Sequence, residues 1–324
     1  MYIQDVVSWS NLDDDLLRFY RAIGVDMIHL ETRSGVSKAD PAFELRDGKD
    51  RTLLFEQARE KIESHGLKLN AVFSSCWPEI TLAQPDMDDK IEAWCRLLES
   101  LGRAGIPNLG WNFKPMGNFR TTSDVGRGGV KYSTFDYKEF VQHRPKLHEP
   151  QVSEAEMWER MEKFLKAVIP VAEKAGVRMA LHPDDPPVPE PLGGVAQICS
   201  TLPQFRRIFD IVPSDYHAML FCQGCMTELL GTNVYDAIAE MASKRKIAWV
   251  HFRNVRGQLP RFAEVFIDEG DINMRRAMEI YRDNGFNGPY MMDHTPQFPH
   301  ALSQWLGKAY AIGYIRALIQ TVYG

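Results

Sequence analysis

The chain has little excess charge of either sign, few cysteines and no long apolar run. Its net charge is −5, from 38 basic and 43 acidic residues, so no basic face invites nucleic acid or an anionic membrane. The five cysteines, Cys76, Cys95, Cys199, Cys222 and Cys225, form an odd, scattered set. That excludes a disulfide framework and makes a reducing cytoplasm the expected setting. No apolar stretch approaches the ~20 residues that span a bilayer. The opening MYIQDVVSWSNLDDD lacks the basic and apolar regions of a secretory signal. Also missing are a dinucleotide-binding G-x-G-x-x-G turn, a second C-x-x-C for a zinc ribbon, and any Ser-His-Asp or Cys-His signature of covalent hydrolysis. What remains is a globular composition, 44% hydrophobic and 25% charged over 324 residues, enough for one large α/β domain or two ordinary ones.

Short apolar runs recur along the chain at 3–9, 26–31, 67–73, 108–113, 177–182, 217–222, 247–252 and 290–294. Each is bounded by turn residues, as strands buried on both faces are. Amphipathic stretches separate them. LDDDLLRFYRAIG has acids in its first turn and Gly24 at its end, and SEAEMWERMEKFLKAVIPVAEKAG opens with Ser153 and Glu156 in capping-box spacing. Alternating strand and helix predicts parallel strands, and eight units predict a (β/α)₈ TIM barrel, one domain over 1–324. Composition shows no break that would mark a second domain. Residues 114–152 are too long and polar for an ordinary connection, so a lid or binding loop is expected there.

The predicted strand ends carry unusual residues. The fifth ends on His182, the sixth on Cys222, the seventh on His251 and the eighth on Asp293 with His294. Barrel strands normally finish on aliphatic residues, and one such exception is more often structural than functional. Four adjacent strands delivering two imidazoles, a thiol and a carboxylate to one rim instead predict a divalent metal site. In CQGC, a redox pair or half a zinc site are the general readings; here Cys222 is taken as the ligand and Cys225 as packing. The prolines of MALHPDDPP stiffen the backbone beyond His182. Asp184 and Asp185 either orient ligands, bind substrate hydroxyls or cap the next segment. Arg120 and Arg127 are candidates to clamp a carboxylate, with a solvated loop as the alternative.

Several stretches resemble the mannonate dehydratase family. FLKAVIPVAEKAGVRMALHPDDPP is similar to the family's helix and strand leading into His-Pro-Asp-Asp-Pro-Pro, and NFKPMGNFRTT, FCQG, VHFRNVR, GDINM, MDHTP and YAIGYIRAL follow in the family's order. The resemblance runs from about residue 108 to the C-terminal end. It implies a xylose-isomerase-like TIM barrel, a homo-oligomer, and Mn²⁺- or Fe²⁺-dependent dehydration of D-mannonate to 2-keto-3-deoxy-D-gluconate in hexuronate catabolism. Carried over, His182, Cys222, His251 and Asp293 would be the metal ligands, His294 a catalytic acid or base, and Tyr310 the catalytic tyrosine, with Tyr314 as its substitute. Arg120, Asn112, Asp185 and Arg253 would bind the sugar acid. Two departures stand out: Met291 and Met292 precede Asp293 where the family has Arg-Pro, and Thr295-Pro296 replace its glycine. Two other functions fit the same barrel, a metal-dependent sugar isomerase or epimerase and a non-catalytic carbohydrate-binding relative. The isomerase reading expects glutamates at strand ends, and only Glu31 and Glu79 are candidates.

Overall fold

The computed structural model describes residues 1–32, 45–143, 146–298 and 303–324. Its strands, in chain order, begin with β1 (Ile3–Ser8), β2 (Met27–Glu31), β3 (Lys68–Phe73) and β4 (Asn108–Trp111). Next come β5 (Asp124–Val125), β6 (Lys131–Asp136), β7 (Arg178–Leu181), β8 (His217–Cys222) and β9 (Ile247–His251). A hairpin, β10 (Val255–Gln258) and β11 (Arg261–Glu264), precedes β12 (Tyr290–Met291). Eight of these strands close into a parallel barrel in the order β1-β12-β9-β8-β7-β4-β3-β2, which is the TIM barrel that the strand and helix alternation predicts.

The helical series begins with α1 (Asp14–Ala22), α2 (Thr52–Glu63), α3 (Met87–Arg103) and α4 (Tyr137–Gln142). It continues with α5 (Glu154–Ala175), α6 (Leu202–Ile211), α7 (Gln223–Leu230), α8 (Val234–Ser243), α9 (Met274–Asp283) and α10 (Ser303–Tyr323). The Ser153–Glu156 capping box starts α5, and Gly176, at φ 71°, ends it. Near the chain's end, Lys308 of α10 reaches the fully buried Asp5 of β1 at 2.7 Å and tethers that helix to the barrel. None of the described helices is long and apolar enough to cross a membrane.

Small and large side chains interlock inside the barrel. Ala71, Ala180, Ala218 and Ala248 leave room for Trp249, Leu220 and Met291. Gly110 matters here because a Cβ at that position would lie 2.7 Å from Phe73 and 2.9 Å from Trp249.

Two expectations change. The segment 114–152 is more than a lid loop: it carries β5, β6 and α4, and β6 pairs antiparallel with β11, with Phe135 opposite Phe262 and Ser133 opposite Glu264. The result is a second sheet, β10-β11-β6-β5, contributed by two connections far apart in sequence. Apolar residues including Phe135, Phe140, Val255 and Phe262 pack beneath it, which stabilises strands too short to stand alone. Residues 144–145 of the segment lie outside the described residues. The last barrel strand is also shorter than predicted, ending at Met291. Asp293, at φ 67°, turns the chain out of the extended conformation.

Candidate active site

The C-terminal ends of β7, β9 and β12 open onto a cleft of about 530 Å³, lined by residues that include His29, Glu31, Asn112, Lys114, Asp185 and His294. A neighbouring cleft of about 420 Å³ shares Asn118 and His294 and adds Arg120, Arg253 and Glu264. A larger cavity, about 780 Å³, lies at the opposite mouth around Met27, Arg178 and Ile247. It contains none of the candidate ligands, so the chemistry belongs to the smaller pair.

His182 immediately follows β7, while Cys222 and His251 are the final residues of β8 and β9. One donor atom from each lies within 4.8 Å of the others. The His182 Nδ1 sits 2.6 Å from the Pro183 carbonyl. A carbonyl only accepts, so Nδ1 is the donor there, which leaves Nε2 as the ring's other ligand atom. His251 is buried, its Nδ1 in an ion-pair contact with Asp293 and its Nε2 without a well-formed hydrogen bond, a nitrogen that is costly to bury unless a cation takes its lone pair. Burial alone would raise the Cys222 thiol. The Cys225 hydrogen bond, the Arg253 charge and the nearby His182 and His251 rings outweigh that effect and hold it well below the ordinary thiol value. Two nitrogens and an easily ionised sulfur form a donor set suited to a divalent transition metal.

Asp293 stands one contact further out. Its Oδ2 is 3.3 Å from His251 Nδ1, from His294 Nε2 and from Arg253 Nε. Burial would raise this carboxyl, but the His251 and His294 charges keep it far below the usual carboxylate range. His251 is pushed up to about 9, its burial outweighed by Asp293 and Cys222. His294, with its outer edge exposed, also rises to about 9, because Glu264 and Asp293 overcome the cost of burial. The Glu264 Oε2 is 3.0 Å from His294 Nδ1.

Beneath the cleft lies a buried ionic network. The Arg253 Nη1 donates to Glu228 at 2.9 Å and Nη2 to Cys225 Sγ at 3.3 Å, with Asp185 3.6 Å from Nη2 and Glu264 3.5 Å from Nη1. Arg120 donates through Nη2 to Asp185 at 2.7 and 2.8 Å and to Glu264, through Nε to Ser133 at 3.0 Å, and through Nη1 to the Phe119 carbonyl at 2.8 Å. Burial and the neighbouring Asp185 push the Glu228 carboxyl well up despite Arg253. Arg120 and Arg253 thus share Asp185 and Glu264, and Arg253 also meets Glu228 and Asp293, so each buried acid has a guanidinium beside it.

The candidate residues therefore divide. His182, Cys222, His251, Asp293 and His294 come together. Asn112 lines the cleft, its Nδ2 donating to Ser75 at 3.2 Å. Asp185 and Arg253 lie within the ionic network, and Arg120 has Nε and both terminal nitrogens engaged, so it has no fork free to clamp a substrate. Arg127 is likewise held, by Asp268 at 2.7 and 2.9 Å. Tyr310, 41% exposed on α10, accepts from Arg127 at 3.3 Å. Neither it nor Tyr314 lines the two clefts; the outward face of α10 carries Tyr310 to the rim.

Sequence reasoning missed Glu228, Glu264 and His29. Glu228 follows Cys225 by one helical turn and faces inward with it. A histidine within the apolar run MIHLE was a readable signal for His29, which is buried against Trp249 at 5.5 Å and pushed down to about 3 by burial and its neighbours His251 and His182. Glu264 gave no such signal, because its position depends on a strand pairing across distant segments.

Gly224 sits where a Cβ would fall 2.3 Å from Arg253 Cζ. Because Arg253 is pinned on several sides, Gly224→Ala is expected to destabilise the protein by about 1–3 kcal/mol. A urea melt would register it as a lower midpoint with an unchanged slope.

Residues 141–323 match the D-mannonate dehydratase (UxuA) family. The chain is 27% identical over 270 residues to Mannonate dehydratase 2 of Halalkalibacterium halodurans, covering 73% of this chain and 76% of that protein. Its fold is similar to the crystal structure of mannonate dehydratase from Streptococcus suis serotype 2, with a TM-score of 0.85 at 23% identity over 99% of this chain and 94% of that one. L-ribulose 3-epimerase shares the barrel more distantly, with a TM-score of 0.63 at 15% identity over 99% of this chain and 95% of that one. With more than half of its length matching the family and the strand-end constellation assembled at one cleft, the chain belongs to the D-mannonate dehydratase family.

Proposed function

We propose that this protein dehydrates D-mannonate to 2-keto-3-deoxy-D-gluconate, using Mn²⁺ or Fe²⁺ held by His182, Cys222, His251 and Asp293. The observation that carries the reading is the trio of donors within 4.8 Å of one another, next to a histidine bracketed by two carboxylates. The reaction breaks the C2–H bond, forms C2=C3 and expels the C3 hydroxyl as water; the resulting enol then becomes the 2-keto acid. When bound, the divalent ion supplies positive charge to a substrate carboxylate that must accommodate developing negative charge.

The chain's own groups act on the departing hydroxyl and hold the substrate. His294, raised to about 9 because Glu264 and Asp293 outweigh burial, is open to the cleft along one edge and is the group placed to protonate the departing hydroxyl. Glu264 fixes the orientation of that ring through Nδ1. Asn112 and Asn118 offer amides to the sugar hydroxyls. Arg120 and Arg253 hold Asp185 and Glu264 in place, and the second sheet covers this end of the barrel.

The test is a discontinuous assay for 2-keto-3-deoxy acid from D-mannonate with Mn²⁺-loaded protein under reducing conditions, with His182→Ala alongside. Product from the wild type alone supports the assignment. Stoichiometric metal without product would remove the substrate while leaving the metal site intact.

Metal uptake is also expected to depend on pH. Ligands bind as free bases, and His251, raised to about 9 without metal, must lose its proton first. As pH falls below 9, protons compete more strongly, and apparent affinity drops by up to about tenfold per unit for each displaced proton. Calorimetry in two buffers of different ionisation enthalpy measures that proton release directly.

A further inference from the structure

An anionic substrate needs a cation, and most cations around the clefts are already committed. Arg253 is buried among Glu228, Glu264, Asp185 and Asp293. Arg120 is engaged by Asp185 and Glu264, and His294 by Glu264 and Asp293. Lys114 differs. It follows β4 on the loop that crosses the cleft and lines that cleft beside Asn112 and Asn118. Its ammonium donates to the neutral Asn118 Oδ1, and among the described residues it forms no ion pair. Two of its three protons therefore have no partner there.

Behind Lys114 lies Asp184, buried and bonded by the Cys199 amide at 2.8 Å and the Ser200 hydroxyl at 3.1 Å. The lysine is held from the side by the Asn118 amide, with its charge at the cleft surface.

We infer that Lys114 binds the substrate carboxylate and makes this site select sugar acids over neutral sugars of the same length. The inference rests on the proposed reaction for its substrate class, and Arg120 gives up to Lys114 the clamping role that its position in NFRTT suggested. A lysine is a point charge with rotatable donors, so it holds a carboxylate without dictating one orientation.

The experiment compares wild type, Lys114→Gln and Lys114→Arg as full-length, Mn²⁺-loaded proteins. For Lys114→Gln, KM for D-mannonate is expected to rise roughly 10- to 100-fold, the range of a charge-assisted hydrogen bond. Its kcat should stay within about threefold, the signature of lost uniform binding. Lys114→Arg restores most of the affinity. Metal content and the weak binding of D-mannitol, a neutral analogue of equal length, should be the same in all three. An unchanged KM in Lys114→Gln overturns the inference, as does equal weakening toward mannitol, which would mark a purely structural role. If the wild type does not turn over D-mannonate, calorimetric binding of six-carbon aldonates separates the two readings. Lys114-dependent binding keeps this inference and removes the reaction, whereas no binding, or binding indifferent to Lys114, overturns it.

Discussion

Alanine at His251 is expected to abolish stoichiometric Mn²⁺ or Fe²⁺ binding and to lower kcat/KM on D-mannonate by on the order of 10³-fold or more. The scale follows from the several kcal/mol of charge stabilisation a metal supplies, at about 1.4 kcal/mol per tenfold. His251 is the centre of the arrangement. It lies within reach of Cys222 and His182 and touches Asp293, so removing it breaks the link between the trio and the carboxylate. The metal-free fold should survive, since Asp293, the carboxylate that His251 touches, stays paired with His294 and Arg253. Elemental analysis of the purified variant, with circular dichroism to verify folding, decides the matter. Retained metal with lost activity would mean that His251 serves the substrate and not the ion. Cys222→Ser sharpens the test, because it keeps the side chain's shape while replacing a good metal ligand with a poor one.

The second large effect concerns stability. Arg253→Met removes a cation that touches Glu228, Glu264, Asp185 and Asp293 together. Stripping one partner from a buried ionic group costs about 3–5 kcal/mol, which in a chain of this size lowers Tm by on the order of 10 °C. Adding Glu264→Gln to Arg253→Met leaves Arg120 opposite Asp185, and the double variant should lose less than the sum of the single losses. The pH dependence has a definite sign. A carboxylate left unpaired in the core has a folded pKa above its unfolded one, so the folded state binds more protons and the deficit of Arg253→Met narrows as pH falls. Additive losses at every pH would show that the network contributes packing and not charge balance.

Much of this was legible in the chain itself, for identifiable reasons. Strands buried on both faces read as apolar runs, so a histidine, a cysteine or an aspartate closing such a run stands out; His182, Cys222 and His251 were found that way, within a residue of the true strand ends. The Ser153–Glu156 cap was equally plain because it is local. Asp293 was expected at the end of the last strand, but that strand stops at Met291 and a left-handed turn, which leaves no periodic trace, carries Asp293 to the cleft. Arg120 was assigned the right neighbourhood and the wrong partner: a guanidinium in a polar segment reads as free until the acids that saturate it, Asp185 and Glu264, arrive from elsewhere in the chain.

The division follows interaction range. Composition, period and caps act within a few residues, and they determined by themselves the barrel, its approximate boundaries and the residue types at its rim. Which of those residues touch was decided by tertiary structure. The pairing of β6 with β11 brings Glu264 to His294, the turn of α7 sets Glu228 under Arg253, and the outward face of α10 takes Tyr310 away from the clefts. Each depends on segments dozens of residues apart being buried together, and that burial gives the ion pairs their strength and leaves Lys114, among the described residues, with an amide and no carboxylate beside it.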